Sequence, residues 1–122
     1  MKPINLAIVE DDPIVRDSLK TFLGEDPQFE LVTVAESLES ILQILETDTR
    51  VEPAIVLLDI QLPGKSGIEG IPLIKKLRPT TDIIMLTTFE ESDKIFAALC
   101  AGACSYMTKR TSLVNIRDAV LT

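Results

Sequence analysis

Ile55-Val56-Leu57-Leu58-Asp59 is a run of four apolar residues that ends on a carboxylate. A strand with one wet face alternates apolar and polar side chains, so an unbroken apolar run asks for cover on both faces, as in a parallel sheet. Ile83-Ile84-Met85-Leu86 has the same character and ends on Thr87-Thr88. Outward from these two, further short β-type runs lie at Asn5–Glu10, Phe29–Ala35 and Ser105–Met107, giving five expected strands with Ile55–Asp59 and Asp82–Thr87.

Helical spacing fills the gaps. Asp12 before Pro13 is an N-cap followed by a first helical residue, and Ile14, Val15, Ser18, Leu19, Phe22 and Leu23 form one inward stripe over Pro13 to Gly24. Leu38, Ile41, Leu42 and Leu45 mark a second helix over Leu38 to Glu46. Because proline is tolerated in a first turn, Pro72 places the start of the third near Gly70, with its body at Leu73 to Leu77. Glu91 to Ala101 reads as a fourth, stopped by Gly102, and Thr111 or Ser112 caps a fifth that carries Leu113, Ile116 and Val120 on one side. Lys65, Lys75, Lys76 and Arg78 read as a solvated helix face. Strand and helix alternate five times, which predicts an α/β, doubly wound, flavodoxin-like fold: a five-stranded parallel sheet of order 2-1-3-4-5 with helices on both faces.

Composition narrows the function. With 122 residues the chain is one domain, and 46% hydrophobic against 25% charged residues is the balance of a globular protein. A net charge of −7 argues against a surface that grips a phosphate backbone, so DNA binding would belong to another domain. No apolar run reaches the roughly 18 residues of a membrane span, and Met1 to Glu10 lack a signal peptide's pattern; a cytoplasmic location without membrane contact is expected. Cys100 and Cys104, in a chain with no His, do not make a zinc site and are expected as small core residues. The last helix runs to Thr122 without a Gly or Asn cap, as at the end of an N-terminal domain (1–122) of a longer protein.

In open parallel sheets, ligands bind outside the carboxyl ends of the strands. There the sequence places Glu10, Asp11 and Asp12 after the first strand, Asp59 at the end of the third, Thr87 and Thr88 after the fourth, and Lys109 after the fifth. Carboxylates gathered so closely repel unless a cation intervenes, and an oxygen-only ligand set with waters suits Mg2+. A carboxylate nucleophile, a metal, a hydroxyl and an ammonium are the parts of phosphoryl-transfer machinery. Asp12 is better explained as an N-cap alone.

V-E-D-D-P at 9–13, L-L-D-I-Q-L-P-G at 57–64, M-L-T-T at 85–88 and Y-M-T-K at 106–109 together resemble response regulator receiver domains of bacterial two-component systems. Thr87 to Lys109 is most similar to the subfamily with a C-terminal LuxR-type helix-turn-helix domain. The resemblance implies that Asp59 accepts a phosphoryl group from a sensor histidine kinase, with Mg2+ held by Asp11, Asp59, Glu10 through water, and the backbone carbonyl of Gln61. It implies further that the Thr87 hydroxyl, the Thr88 N–H and the Lys109 ammonium bind the phosphoryl oxygens. Tyr106 would turn inward in the switch, and phosphorylation would favour a homodimer. Arg110 stands where many family members carry proline. Such a protein is no enzyme beyond phosphorylating and dephosphorylating itself, and its output is transcription through a DNA-binding domain that this segment lacks. A pseudo-receiver that only docks is disfavoured by the complete acid, Thr and Lys set. A metal-dependent phosphatase is disfavoured by Gln61, which stands where that chemistry wants a second acid.

Overall fold

Consecutive residues of the central strands point to opposite faces, so each apolar run feeds two cores at once. In the computed structural model, which describes residues 2–60, 62, 67–87, 92–109 and 111–121 (without the side chains of 87 and 92–95), β1 (Ile4–Val9), β2 (Phe29–Ala35), β3 (Ile55–Asp59), β4 (Asp82–Thr87) and β5 (Ser105–Thr108) form one parallel sheet. Its order is β2-β1-β3-β4-β5, as the alternating pattern predicts. Ala7, Val9, Val56, Leu58, Ile83 and Met85 enter one core with Leu38, Ile41, Leu45, Ile71, Ile74 and Ala98 from the helices. Leu6, Ile8, Leu57, Ile84 and Leu86 enter the other with Leu19, Leu23, Ile116 and Val120.

Accordingly α2 (Leu38–Thr47), α3 (Gly67–Leu77) and α4 (Ser92–Ala101) cover one face, and α1 (Pro13–Gly24) and α5 (Leu113–Leu121) the other. Asp12 caps α1, its Oδ1 accepting from the N–H of Ile14 at 2.9 Å, and Ser112 caps α5 by accepting from Asn115 N–H at 3.2 Å. Gly102, at φ 121°, ends α4 in a left-handed turn that other residues adopt only under strain. No helix among the described residues is long and apolar enough to cross a membrane.

Four expectations need correction. The third helix starts at Gly67, not Gly70, and carries Pro72 in its interior. Burial of Gly67, Gly70, Ile71 and Ile74, and a hydrogen bond from Gly67 N–H to Ile60 O at 2.8 Å, hold the early turns despite the donor that proline lacks. The inward stripe of α1 is narrower than expected: Leu19 and Leu23 are buried, but Ser18 is exposed and Ile14 is 77% exposed. Cys100 and Cys104 are exposed free thiols rather than core residues, because Ala98 and Ala103 take the inward positions there.

Nor are Arg78 and Lys75 simply solvated. The Arg78 guanidinium donates to Leu45 O, Asp48 O, Val51 O and Leu77 O at 2.9 to 3.0 Å, and Lys75 Nζ to Pro79 O and Thr81 O at 3.2 and 2.9 Å. Thr81 Oγ1 adds a 2.6 Å bond to Pro53 O. These cations stitch together chain ends that helices and strands leave unpaired. Lys76 is exposed, and Lys65 lies outside the described residues.

Two glycines let α3 approach. A Cβ on Gly67 would fall on the main-chain oxygen of Asp59, and one on Gly70 on the end of the Leu38 side chain. Overpacking a site of this kind costs about 1–3 kcal/mol. Gly67→Ala is therefore expected to lower the unfolding free energy by about 2 kcal/mol, even though alanine favours a helix by ~1 kcal/mol over glycine. Gly70→Ala, which meets a flexible side-chain tip, should cost less, and urea unfolding of both variants checks the order.

Candidate functional site

The register that pairs Val9 with Leu58 sets the next two residues, Glu10 and Asp59, level with each other at the carboxyl edge of adjacent strands. Both are almost wholly buried, at 1% and 2% exposure, whereas Asp11 is exposed. One carboxylate oxygen from each of Glu10, Asp11 and Asp59 lies within 4.8 Å of the others. Lys109, just past β5, reaches across this edge: its Nζ stands 3.1 Å from Asp59 Oδ2 and 2.6 Å from Glu10 Oε1.

The Glu10 contact is an ion pair by distance, yet Oε1 receives no well-aligned hydrogen bond. The contact is Coulombic attraction, and the oxygen's lone pairs remain undirected. Burial pulls the Lys109 ammonium towards its neutral form, but Glu10 and Asp59 outweigh it and raise its pKa above the ordinary lysine value. Lysine thus stays charged at neutral pH.

Glu10 is held from behind as well. Its N–H donates to Ala35 O at 3.0 Å, and its Oε2 accepts from the N–H of Asp12 at 3.1 Å. Arg16, which the sequence did not single out, donates from Nη1 to Glu10 O at 3.1 Å and to Asp11 O at 3.4 Å. Its signal was faint: a cation in the early turns of a helix, where the macrodipole disfavours positive charge, next to an acidic run.

Three carboxylates against one ammonium leave a charge excess of two among these four side chains. An all-oxygen set with that excess and an undirected Glu10 Oε1 fits a hard divalent cation such as Mg2+. Of the residues expected here, Glu10, Asp11, Asp59 and Lys109 come together, and Asp12 does what a cap does. Tyr106 is 42% exposed on β5. Thr87 ends β4 in register with Thr108, but its side chain, like Gln61, Thr88 and Arg110, lies outside the described residues.

A profile of the response regulator receiver domain matches residues 6–121. The transcriptional regulatory protein LnrK of Bacillus subtilis (strain 168) is 35% identical over 119 residues, covering 98% of this chain and 53% of that protein, so the chain spans about half the length of this relative. Among solved structures, a two-component response regulator of the LuxR family from Aurantimonas sp. SI85-9A1 superposes with a TM-score of 0.86 at 27% identity, over 98% of this chain and 83% of that one. The BeF3-activated DrrB receiver domain superposes at 0.81 with 26% identity, over 98% and 95% of the two chains. Matched along nearly its whole length by sequence and by fold, the chain belongs to the two-component response regulators as a receiver domain, with LuxR-family relatives among its neighbours.

Proposed function

We propose that this receiver is a phosphorylation switch in which Asp59 accepts a phosphoryl group from a sensor histidine kinase or a small acyl phosphate. The observation that carries this is Asp59 itself: a buried carboxylate at a strand end, 3.1 Å from the Lys109 ammonium and clustered with Glu10 and Asp11. An Asp59 oxygen attacks phosphorus, and an O–P bond forms as the donor's N–P or O–P bond breaks. Water later hydrolyses the acyl phosphate, returning the carboxylate and inorganic phosphate. Lys109 neutralises charge on the phosphoryl oxygens, and the Thr87 hydroxyl and Thr88 N–H keep the donor roles that the family resemblance implies.

Glu10, Asp11, Asp59 and the Gln61 carbonyl would hold Mg2+. When bound, that ion screens charge between the entering phosphoryl group and the acids. The protein's contribution is placement: buried Glu10 and Asp59 are fixed, and exposed Asp11 leaves one side open to a donor. Because LnrK is named a transcriptional regulatory protein and is about twice this chain's length, the output is proposed to be transcription through an attached DNA-binding domain.

The new dianion would draw in Thr87 and Lys109, and Tyr106, already half exposed, would turn into the space vacated. The family resemblance offers two alternative surfaces for a second copy, the face of α4, β5 and α5 or that of α1 and α5. Phe96, Leu99 and Tyr106 are exposed apolar groups on α4 and β5, and Ile14 and Val114 on α1 and α5.

Incubation with acetyl phosphate and Mg2+ is expected to add one phosphoryl group by intact mass, and Asp59→Asn to abolish it; labelling that persists in that variant would place the acceptor elsewhere. Mg2+ alone should raise the thermal midpoint, by the equivalent of about 2.7 kcal/mol at a hundredfold excess over its Kd, and Asp11→Asn should remove most of that response. For the dimer, moving a two-state population from 1% to 99% takes about 5.5 kcal/mol, more than a few hydrogen bonds supply, so a partial, concentration-dependent shift is expected. Sedimentation with and without beryllofluoride tests it, with Thr87→Ala and Lys109→Ala expected to lose the shift.

A further inference from the structure

We propose that Arg16 is a positioning residue for the cation site, acting on Glu10 through the peptide bond between Asp11 and Asp12. That peptide is held at both ends. Its carbonyl, on Asp11, accepts from Arg16 Nη1 at 3.4 Å, and its N–H, on Asp12, donates to Glu10 Oε2 at 3.1 Å. Arg16 takes a second grip at 3.1 Å on Glu10 O, the carbonyl of the preceding peptide. One guanidinium therefore sets two successive peptide planes. With Oε2 tied to the Asp12 N–H, the Glu10 carboxylate turns Oε1 towards Lys109 and the other acids, as its 2.6 Å approach to Nζ records.

Placement against the helix dipole argues that Arg16 is not there for α1. Pro13 opens the helix, so Arg16 sits in its opening turns, where cations are disfavoured. Its own N–H makes the ordinary helical bond to Asp12 O at 2.8 Å, so the helix needs nothing from the side chain. Both bonds leave one nitrogen, Nη1, whose two hydrogens serve the two carbonyl oxygens. Arg16 touches no carboxylate of the cluster in these contacts; it acts through the main chain.

The inference rests on the cation reading above, and the two separate cleanly because Coulomb's law and positioning predict opposite signs. Removing a positive charge near three acids should, by charge alone, tighten Mg2+ binding. Removing a positioning residue should loosen it, by about tenfold, the lower end of the range for groups that orient metal ligands. Titration calorimetry with Mg2+ on the wild type, Arg16→Met, Arg16→Gln and Asp11→Asn, at temperatures well below each thermal midpoint, gives the readout, with the Asp12 amide followed by NMR.

The expected result is about tenfold weaker Mg2+ binding in Arg16→Met, with a displaced Asp12 amide resonance. Should Arg16→Met not fold, Arg16→Gln, which keeps a polar tip but is shorter and uncharged, is expected to weaken binding in the same direction. Mg2+ binding as tight as the wild type's, or tighter, in whichever of these variants folds overturns the positioning role while leaving the cation site standing. Absence of Mg2+ binding in the wild type, or full binding in Asp11→Asn, overturns the cation reading and this inference with it.

Discussion

Glu10 and Asp59 are carboxylates that water scarcely reaches, and the ammonium of Lys109 stands between them. Burying charge is tolerable only when it is paired, and removing one partner of a buried pair costs about 3–5 kcal/mol because the other is left uncompensated. This constraint ties the ends of β1 and β3 to the residue after β5, although 50 residues separate Asp59 from Lys109. Everything at the rim must accommodate it: the exposed Asp11, the Asp12 cap beside it, and the glycine at 67 that lets α3 start against the Asp59 carbonyl. Among the four side chains Glu10, Asp11, Asp59 and Lys109 the acids outnumber the ammonium three to one, and the proposed cation site rests on that balance.

The cores behind the rim explain why these groups meet at all. Central strands that send alternate residues into two apolar clusters have no room for polar side chains in their buried stretches, so acids collect where β1 and β3 end. Val9 and Leu58, fully inside one core, are each followed by an acid, and the register between β1 and β3 makes those acids neighbours. Hydrophobic packing thus sets the spacing that the electrostatics then exploit.

Apolar patterning made much of this legible from residues alone. The ends of β2, β3 and β4 and of α1 coincide with those expected, since turn residues and unbroken apolar runs bracket them. Glu10, Asp11, Asp59 and Lys109 were legible because strand-end position and charge coincide. What escaped depended on contacts that no local pattern encodes. Pro72 argued for a late start to α3, but burial of Ile71 and close packing at Gly67 and Gly70 outweigh one missing donor. Ile14 was grouped with the inward stripe of α1, yet it lies about two and a half turns from Leu23, on the opposite side of the helix, and is exposed. Arg16 and Arg78 look like any surface cations, because what they hold is main chain, and backbone carbonyls leave no trace in composition.

Arg78 also divides the molecule mechanically. Its guanidinium gathers four carbonyls from the ends of α2 and α3 and the approach to β3, at the edge opposite the acids, with Lys75 and Thr81 reinforcing the same margin. The ends of α2 and α3 and the approaches to β3 and β4 are thus clamped together along one border. A border tied in this way leaves the strand ends at the acidic rim as the margin with fewer such ties, and on the proposed switching the displacement would begin there. Stiffness at one border gives the other a direction in which to move.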